Sequence, residues 1–308
     1  MISNPTKKIV VICGPTGVGK TGFAIKLARR FSGEIIGADS MQVYKWMDIG
    51  SAKPTAEEQK EAVHHLIDVV NPDETFDAGT FINLADKAIS DIISRGKLPI
   101  VAGGTGLYIR ALLHGLFRQK QADPDIILKL TKELEEFGRD HLHARLARID
   151  PFIAKAVHPN DSFRVINALE VYESTGRIKS EQLKEHGFEN ERYSSIKFAL
   201  FMAREKLYER INKRVEIMMD QGFLDEVKGL LKRGCSPDLK PMQSIGYKHI
   251  CDYLNNKNSY DEAISLLKRD TRRFAKRQFT WFKREKNIIW LKPHEVEKAS
   301  RLIIDFIK

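Results

Sequence analysis

The octapeptide Gly14-Pro15-Thr16-Gly17-Val18-Gly19-Lys20-Thr21 constrains this chain more than any other feature. It matches G-x-x-x-x-G-K-[ST], and its setting fits the motif. Before it stands a β-branched run, Ile9-Val10-Val11-Ile12, which reads as a buried parallel strand. After it, Thr21 to Phe31 has helical spacing, with Phe23, Ala24, Leu27, Ala28 and Phe31 on one side. Glycines let the backbone curl so that several N–H groups point at one anion. The helix adds its positive N-terminal end. Lys20 supplies a mobile charge for phosphate oxygens, and the Thr21 hydroxyl can coordinate Mg²⁺. The unit predicts a bound di- or triphosphate.

Strand and helix patterns continue to alternate. Glu34 to Ala38 reads as a second strand, and Thr80 to Arg95 as a helix with Phe81, Leu84, Ala88 and Ile92 inward, stopped by Gly96. Leu98 to Ala102 is another strand, and Gly103-Gly104-Thr105-Gly106 turns into a further helix. This is the pattern of βαβ units on a parallel sheet. From about Ala122 to Glu185 strand signals disappear, and Leu128, Leu130, Leu134, Leu142, Leu146 and Ile149 recur at helical intervals. Ser195 to Phe201 then reads as a strand returning to the sheet, followed by helices and a last strand at Ile288-Ile289-Trp290-Leu291. The division is a catalytic core of residues 1–121 and 186–308, with a helical insertion at 122–185. With 308 residues, 42% of them apolar, the chain can bury such a core without disulfides.

The second strand ends in Asp39-Ser40-Met41-Gln42-Val43-Tyr44. Ligands of doubly wound sheets bind at the carboxyl ends of the strands, so Asp39 belongs near the phosphate loop. There it could hold Mg²⁺ through water or accept a proton from a nucleophile. Capping of a helix by Asp39 or Ser40 is the plainer alternative. The strand Leu98 to Ala102 runs into Gly103-Gly104-Thr105, with no acid where an ordinary nucleoside triphosphatase carries one.

Charge is concentrated near the C-terminus. The chain carries 51 Lys and Arg against 41 Asp and Glu, a net +10. Lys268 to Lys286 holds nine of the basic residues and only two acids. On a helix Arg269, Arg272, Arg273, Lys276 and Arg277 form one basic face, suited to phosphate contacts on a nucleic acid. Phe274, Phe279, Trp281 and Phe282 are interleaved, and core packing is their first explanation.

Taken together, these segments resemble the tRNA dimethylallyltransferase family, the tRNA isopentenyl transferases. The resemblance runs along nearly the whole chain. After the phosphate loop and the Asp39 hexapeptide come Asp48 to Pro54, His64 to Asp68, and Gly103 to Tyr108. His158-Pro159-Asn160-Asp161, Arg164 and Ala168 to Val171 match the insertion. Arg210, Arg214, Gly222-Phe223, Glu226, Ser244 to Tyr247, Thr271 to Arg273, Ala275 to Gln278 and Thr280-Trp281 match the remainder. The resemblance implies a P-loop NTPase-like parallel sheet flanked by helices, with a helical insertion domain. It also explains the missing acid: the loop would hold the diphosphate of dimethylallyl diphosphate, and no phosphoryl group moves.

The activity so implied is transfer of a dimethylallyl group to N6 of the adenine 3′ of the anticodon (position 37) in tRNA, with release of diphosphate. Asp39 is the candidate base. Thr16, Lys20, the loop amides and Mg²⁺ held by Thr21 would stabilise the leaving group, and the family pattern favours Arg214 over Arg210 for a second positive charge. A surface salt bridge with Glu209 or Glu216 is the alternative for both arginines. Asp39, Ser40, Met41 and Gln42 would read an extruded adenine, with Thr105 a further tRNA contact. In the insertion, the matching tRNA contacts are Phe163, Arg164, Val165, Ile166 and Asn167. Phe163 stands where some relatives carry a polar residue, and it either stacks on a base or packs the insertion. Arg272, Arg273 and Arg277 complete the expected tRNA-binding set on the anticodon stem-loop.

Rival readings are an adenylate isopentenyltransferase acting on free AMP, ADP or ATP, and a P-loop small-molecule kinase. Cys13, Cys235 and Cys251 show no CxxC pairing, and the histidine pairs lack metal-ligand company. The polar N-terminus and short apolar runs predict a cytoplasmic protein without membrane spans, expected to be a monomer.

Overall fold

The computed structural model describes residues 7–116, 123–187 and 191–308. The chain forms two compact units, residues 1–113 with 192–308, and residues 114–191. The boundary expected at 121/122 lies outside the described residues. At the other end the helical unit extends past 185 to Glu191.

The larger unit is built on six strands in the order β3-β2-β4-β1-β5-β6. These are β1 (Lys8–Cys13), β2 (Glu34–Ala38), β3 (His64–His65), β4 (Pro99–Gly103), β5 (Ser194–Leu200) and β6 (Ile288–Leu291). Every pairing is parallel. β5 pairs beside β1, with Cys13 opposite Ala199, so the chain does return to the sheet after the insertion.

Burial follows from this order. β1 is central, and Ile9, Val10, Val11 and Ile12 are fully buried. Ile9, Val11 and Cys13 join the core on one face of the sheet, while Val10 and Ile12 join that on the other. This alternation is why the run is apolar without a period of two.

The helices are α1 (Lys20–Arg30), α2 (Ala56–Glu61), α3 (Ala78–Ser94) and α4 (Gly106–His114), then α5 (Pro124–Ile149), α6 (Pro151–Ala156), α7 (Ser162–Thr175) and α8 (Lys179–His186) in the smaller unit. After β5 come α9 (Arg204–Asp220), α10 (Phe223–Lys232), α11 (Tyr247–Leu254), α12 (Tyr260–Phe282) and, after β6, α13 (Val296–Ile307). Helix α3 is capped by Asp77, whose Oδ1 accepts from the Thr80 amide at 2.7 Å. It buries Phe81, Ile82, Ala85, Ile89 and Ile92. The inward stripe is therefore turned by about one residue from the sequence reading, and Leu84 and Ala88 are only half-buried. None of the helices among the described residues is long and apolar enough to cross a membrane.

Two elements have no periodicity to betray them: the two-residue edge strand β3 and the single-turn helix α2. The latter is set by a capping box, Glu58 N–H to Thr55 Oγ1 at 3.2 Å and Thr55 N–H to Glu58 Oε2 at 2.9 Å.

Glu34 opens β2 from a buried position. Its carboxylate accepts from Arg95 at 2.5 and 2.7 Å and from Lys97 at 2.7 Å, and lies 2.7 Å from His65 Nε2. Arg95 first, then Lys97 and His65, hold this carboxyl far below the usual carboxylate range. A depressed folded-state pKa contributes stability above the unfolded value, and that contribution is lost as pH falls. Because Arg95 and Lys97 reach solvent, Glu34→Ala is expected to cost about 2 kcal/mol near neutrality, below the range for fully buried pairs. Urea denaturation at pH 7 and below about pH 4 checks it: the gap between wild type and variant should narrow in acid. An equal gap at both pH values would mean that the loss is packing and not charge.

The smaller unit is a helical core of its own. Leu130, Leu142, Leu146, Ile153, Ala154, Val165, Ala168 and Leu169 pack together. α5 breaks at Gly138, which has φ 84°, a conformation glycine adopts without strain. Leu128, expected inward, is 55% exposed. It precedes buried Leu130 by two positions, about 200° around a helix, so the two face opposite ways.

Candidate active site

Strand register brings the candidate residues to one edge. Cys13 pairs with Gly103, and Gly103 with Ala38. The phosphate loop, the Gly104 turn and Asp39 therefore leave the sheet side by side. Gly103 permits this approach, because a Cβ there would lie 2.0 Å from the Ala38 carbonyl oxygen.

The loop has the form its glycines predict. Gly14, Gly17 and Gly19 have φ of 140°, 79° and 103°. Lys20 Nζ folds back to donate to the carbonyls of Gly14 (3.0 Å) and Pro15 (2.9 Å). The Val18 amide donates to Pro15 O at 3.4 Å, and that of Thr16 to Gln278 Oε1 at 2.8 Å. Those of Gly17, Gly19, Lys20 and Thr21 make no hydrogen bond among the described residues. They form an anion cradle at the start of α1. Burial lowers the Lys20 pKa to about 8, against the opposing pull of Asp39 and with a further push from Arg214.

Asp39 holds a turn and not the helix N-terminus considered for it, and it also reaches the cleft. Its Oδ1 accepts from the amides of Met41 (2.9 Å) and Gln42 (3.4 Å), fixing the turn after β2. The same side chain lines the cleft above the loop. The turn is tied to its neighbour, since the Ser40 amide donates to Thr105 Oγ1 at 3.1 Å and the Thr105 amide to Ala38 O at 3.1 Å.

The cleft has a volume of about 1140 Å³ and contains Thr16, Lys20, Thr21, Asp39, Gln42 and Arg214. Arg210 and Arg214 reach it from α9, which packs on the loop closely enough that a Cβ on Gly17 would lie 3.0 Å from Ile211. Neither arginine pairs with Glu209 or Glu216. Glu216 is taken by Lys213 and Lys268, and Arg214 Nη2 donates to Ala52 O at 3.5 Å. Arg214 is half-buried, and this desolvation pushes its pKa down while Asp39 pulls it up.

Sequence reasoning missed the opposite wall. Residues 48–68 form it, held by two charged side chains. Lys53 Nζ donates to Tyr44 O at 2.7 Å and to Asp48 and Asp68 at 2.5 Å each. Glu226 accepts from the amides of Asp48 (2.9 Å), Ile49 (2.7 Å) and Gly50 (3.1 Å) and from the Tyr247 hydroxyl (2.7 Å). Ile49, Ile67, Ile217, Met218 and Phe274 are among the larger apolar side chains of the cleft.

Other expected residues lie elsewhere. Gly14, Pro15 and Val18 are buried behind the loop. Ser40, Met41 and Thr105 adjoin the cleft without lining it. On α12, Arg272 turns inward to Asn212 Oδ1 at 2.6 Å, so the basic face is narrower than its spacing suggests. Arg273 stands near Asp270 (3.5 Å), and the Arg277 guanidinium lies 5.7 Å from the Phe274 ring centre. Phe282 is core, whereas Phe274 is 37% exposed. In the helical unit Phe163 is 81% exposed, so it does not pack the insertion. Arg164 pairs with Asp161 at 2.6 Å and Asn167 accepts from Lys179. Ile166 is half-buried. Val165, however, is 1% exposed and belongs to the core of this unit, which removes its side chain from any RNA contact. A metal cage of three or more His, Cys, Asp or Glu is absent among the described residues.

Known proteins share the pattern of this chain over nearly its whole length. The pattern of the IPP transferase family matches residues 42–285. The chain is 49% identical over 306 residues to a tRNA dimethylallyltransferase of Desulfosudis oleivorans, covering 99% of this chain and 98% of that one. It is similar to the solved full-length tRNA isopentenylpyrophosphate transferase of Bacillus halodurans, with TM-score 0.73, 41% identity, and coverage of 97% and 96% of the two chains. It also resembles a solved eukaryotic dimethylallyltransferase acting on tRNA, with TM-score 0.81, 33% identity, and coverage of 98% and 80%.

Proposed function

The chain belongs to the IPP transferase family, whose members include the tRNA dimethylallyltransferases, and on that premise we propose that its cleft transfers a dimethylallyl group from dimethylallyl diphosphate to N6 of the adenine 3′ of the anticodon in tRNA. The observation that carries this reading is one cleft that joins an anion cradle and two half-buried cations to a carboxylate, Asp39, at the end of the neighbouring strand.

The chemistry divides between the two sides of the cleft. The exocyclic amine is a poor nucleophile, because its lone pair is delocalised into the ring. As N6 forms a bond to the allylic carbon, the carbon–oxygen bond breaks and its electron pair leaves with the diphosphate. Asp39 takes the N6 proton. The amides of Gly17, Gly19, Lys20 and Thr21, the Lys20 and Arg214 side chains and the Thr16 hydroxyl meet the negative charge that grows on the leaving group. Ile49, Ile67, Ile217 and Met218 supply a dry surface for the allyl tail. Thr21 offers the hard oxygen donor that suits Mg²⁺, a cation that keeps most of its coordination for phosphate and water. Thr21 would hold it against the diphosphate, where it adds positive charge at the leaving oxygens.

The basic face of α12 is the RNA side of this reading. Changing Arg273 and Arg277 together to Glu is expected to weaken tRNA binding and lower the salt dependence of log Kd by about two, one per phosphate contact. The KM for dimethylallyl diphosphate should stay unchanged. Filter binding across a salt series decides it, and an unaltered slope would remove α12 from the RNA interface. Nucleoside analysis of tRNA after reaction tests the activity itself. A prenylated adenosine at position 37 supports it, and prenylated AMP with untouched tRNA points to the free-nucleotide enzyme.

A further inference from the structure

We propose that Gln278 is a positioning residue for the reaction, a single amide that clamps the phosphate loop to the turn after β4. Its side chain is buried on the inner side of α12. Oε1 accepts from the Thr16 amide at 2.8 Å, and Nε2 donates to Gly104 O at 2.9 Å. A carboxamide both donates and accepts from one planar group, and here each half is used on a different strand-end segment.

The fit is close on the glycine side. A Cβ on Gly104 would lie 2.3 Å from Gln278 Nε2, and one on Gly106 would lie 2.2 Å from the Trp281 indole nitrogen, one turn further along α12. The helix is seated on a turn that glycine keeps bare.

Three consequences follow for the site. The Thr16 N–H belongs to Gln278 and not to the diphosphate, so Thr16 acts through its hydroxyl and the anion cradle begins at Gly17. The Gly104 turn carries Thr105, whose hydroxyl takes the Ser40 amide beside Asp39. Gln278 thereby sets the leaving-group side and the base side of the cleft against one reference. Its helix also bears the basic face and Phe274, so RNA bound on α12 would rest on the element that fixes both.

This inference deepens the proposed activity and rests on it, so its test has one readout that does not need turnover. Amide hydrogen exchange at Thr16 should be slow in the wild type and fast in Gln278→Leu. Retained protection overturns the clamp, whatever the activity. In the transfer assay, Gln278→Leu should lower kcat by about 10–10²-fold, the size of effect expected from misplaced catalytic groups, with KM for donor and tRNA unchanged. Gln278→Glu adds a signature that simple packing would not give. Its ionised carboxylate accepts from Thr16 but repels Gly104 O, whereas the protonated acid restores both bonds, and burial raises its pKa. Its rate relative to wild type should therefore recover as pH falls, while that of Gln278→Leu stays flat. An inactive wild type defeats the proposed activity and leaves exchange to decide the clamp. A raised KM for tRNA with unchanged kcat, or failure of both variants to fold, assigns Gln278 to the helix interface or the core and overturns the proposal.

Discussion

Asp39→Asn is expected to lower the single-turnover rate of allyl transfer by about 10²–10⁴-fold, the range associated with loss of a general base. Asn is the informative change because the side chain has two jobs. Its carbonyl oxygen still accepts from the Met41 and Gln42 amides, so the turn after β2 survives. What disappears is the proton acceptor that faces Lys20 and Arg214. Binding of dimethylallyl diphosphate should be kept or improved, since a negative charge has left the cleft. A rate within tenfold of wild type would reassign Asp39 to holding the turn.

Lys20→Ala is expected to reduce kcat/KM for the donor by about 10²–10³-fold, as removal of a preorganised group stabilising a leaving anion does. The variant loses more than a charge, because Nζ also bridges the Gly14 and Pro15 carbonyls. A pH profile separates the two effects. Burial brings the Lys20 pKa down to about 8 in the free protein. The ammonium is complete well below that value and is lost above it. Since kcat/KM reports the free enzyme, donor capture should decline as pH rises through about 8. Bound diphosphate favours the charged form, so the same limb in kcat should lie higher. In Lys20→Arg, whose guanidinium stays charged throughout this range, the limb in kcat/KM should vanish even if the absolute rate is low. A limb that persists in the arginine variant belongs to another group.

The parts of this molecule that could be read from sequence are those whose signal is local. The loop from Gly14 to Thr21 declares strand, anion cradle and helix within a few residues. β5 and β6 are apolar runs of strand length, and the helical unit is a long stretch of leucine spacing. The cleft wall at 48–68 is different in kind. It carries no periodicity, and Ala52, Leu66 and Asp68 adopt positive φ that residue preference alone does not place there. Lys53 holds it from within and Glu226 from α10, and the local spacing of neither shows which groups it will meet. Gln278 did leave a trace, since it occupies an inward position with Ala275 and Phe282 on α12, where a polar residue is unusual. Val165 shows the opposite error. A run of five consecutive residues cannot all meet one ligand from a helix, because each successive side chain turns by about 100°. Val165 takes the core side of that turn while Phe163 and Arg164 stay exposed.

The most direct test is a two-label assay with purified protein, Mg²⁺ and unmodified tRNA. One arm carries dimethylallyl diphosphate labelled in the allyl group, and the other carries ATP labelled at the γ-phosphate. The account predicts allyl label in tRNA with stoichiometric release of diphosphate, no transfer of γ-phosphate, and loss of the signal in Asp39→Asn. Turnover of ATP without any allyl transfer would contradict it and leave a kinase on the same phosphate loop.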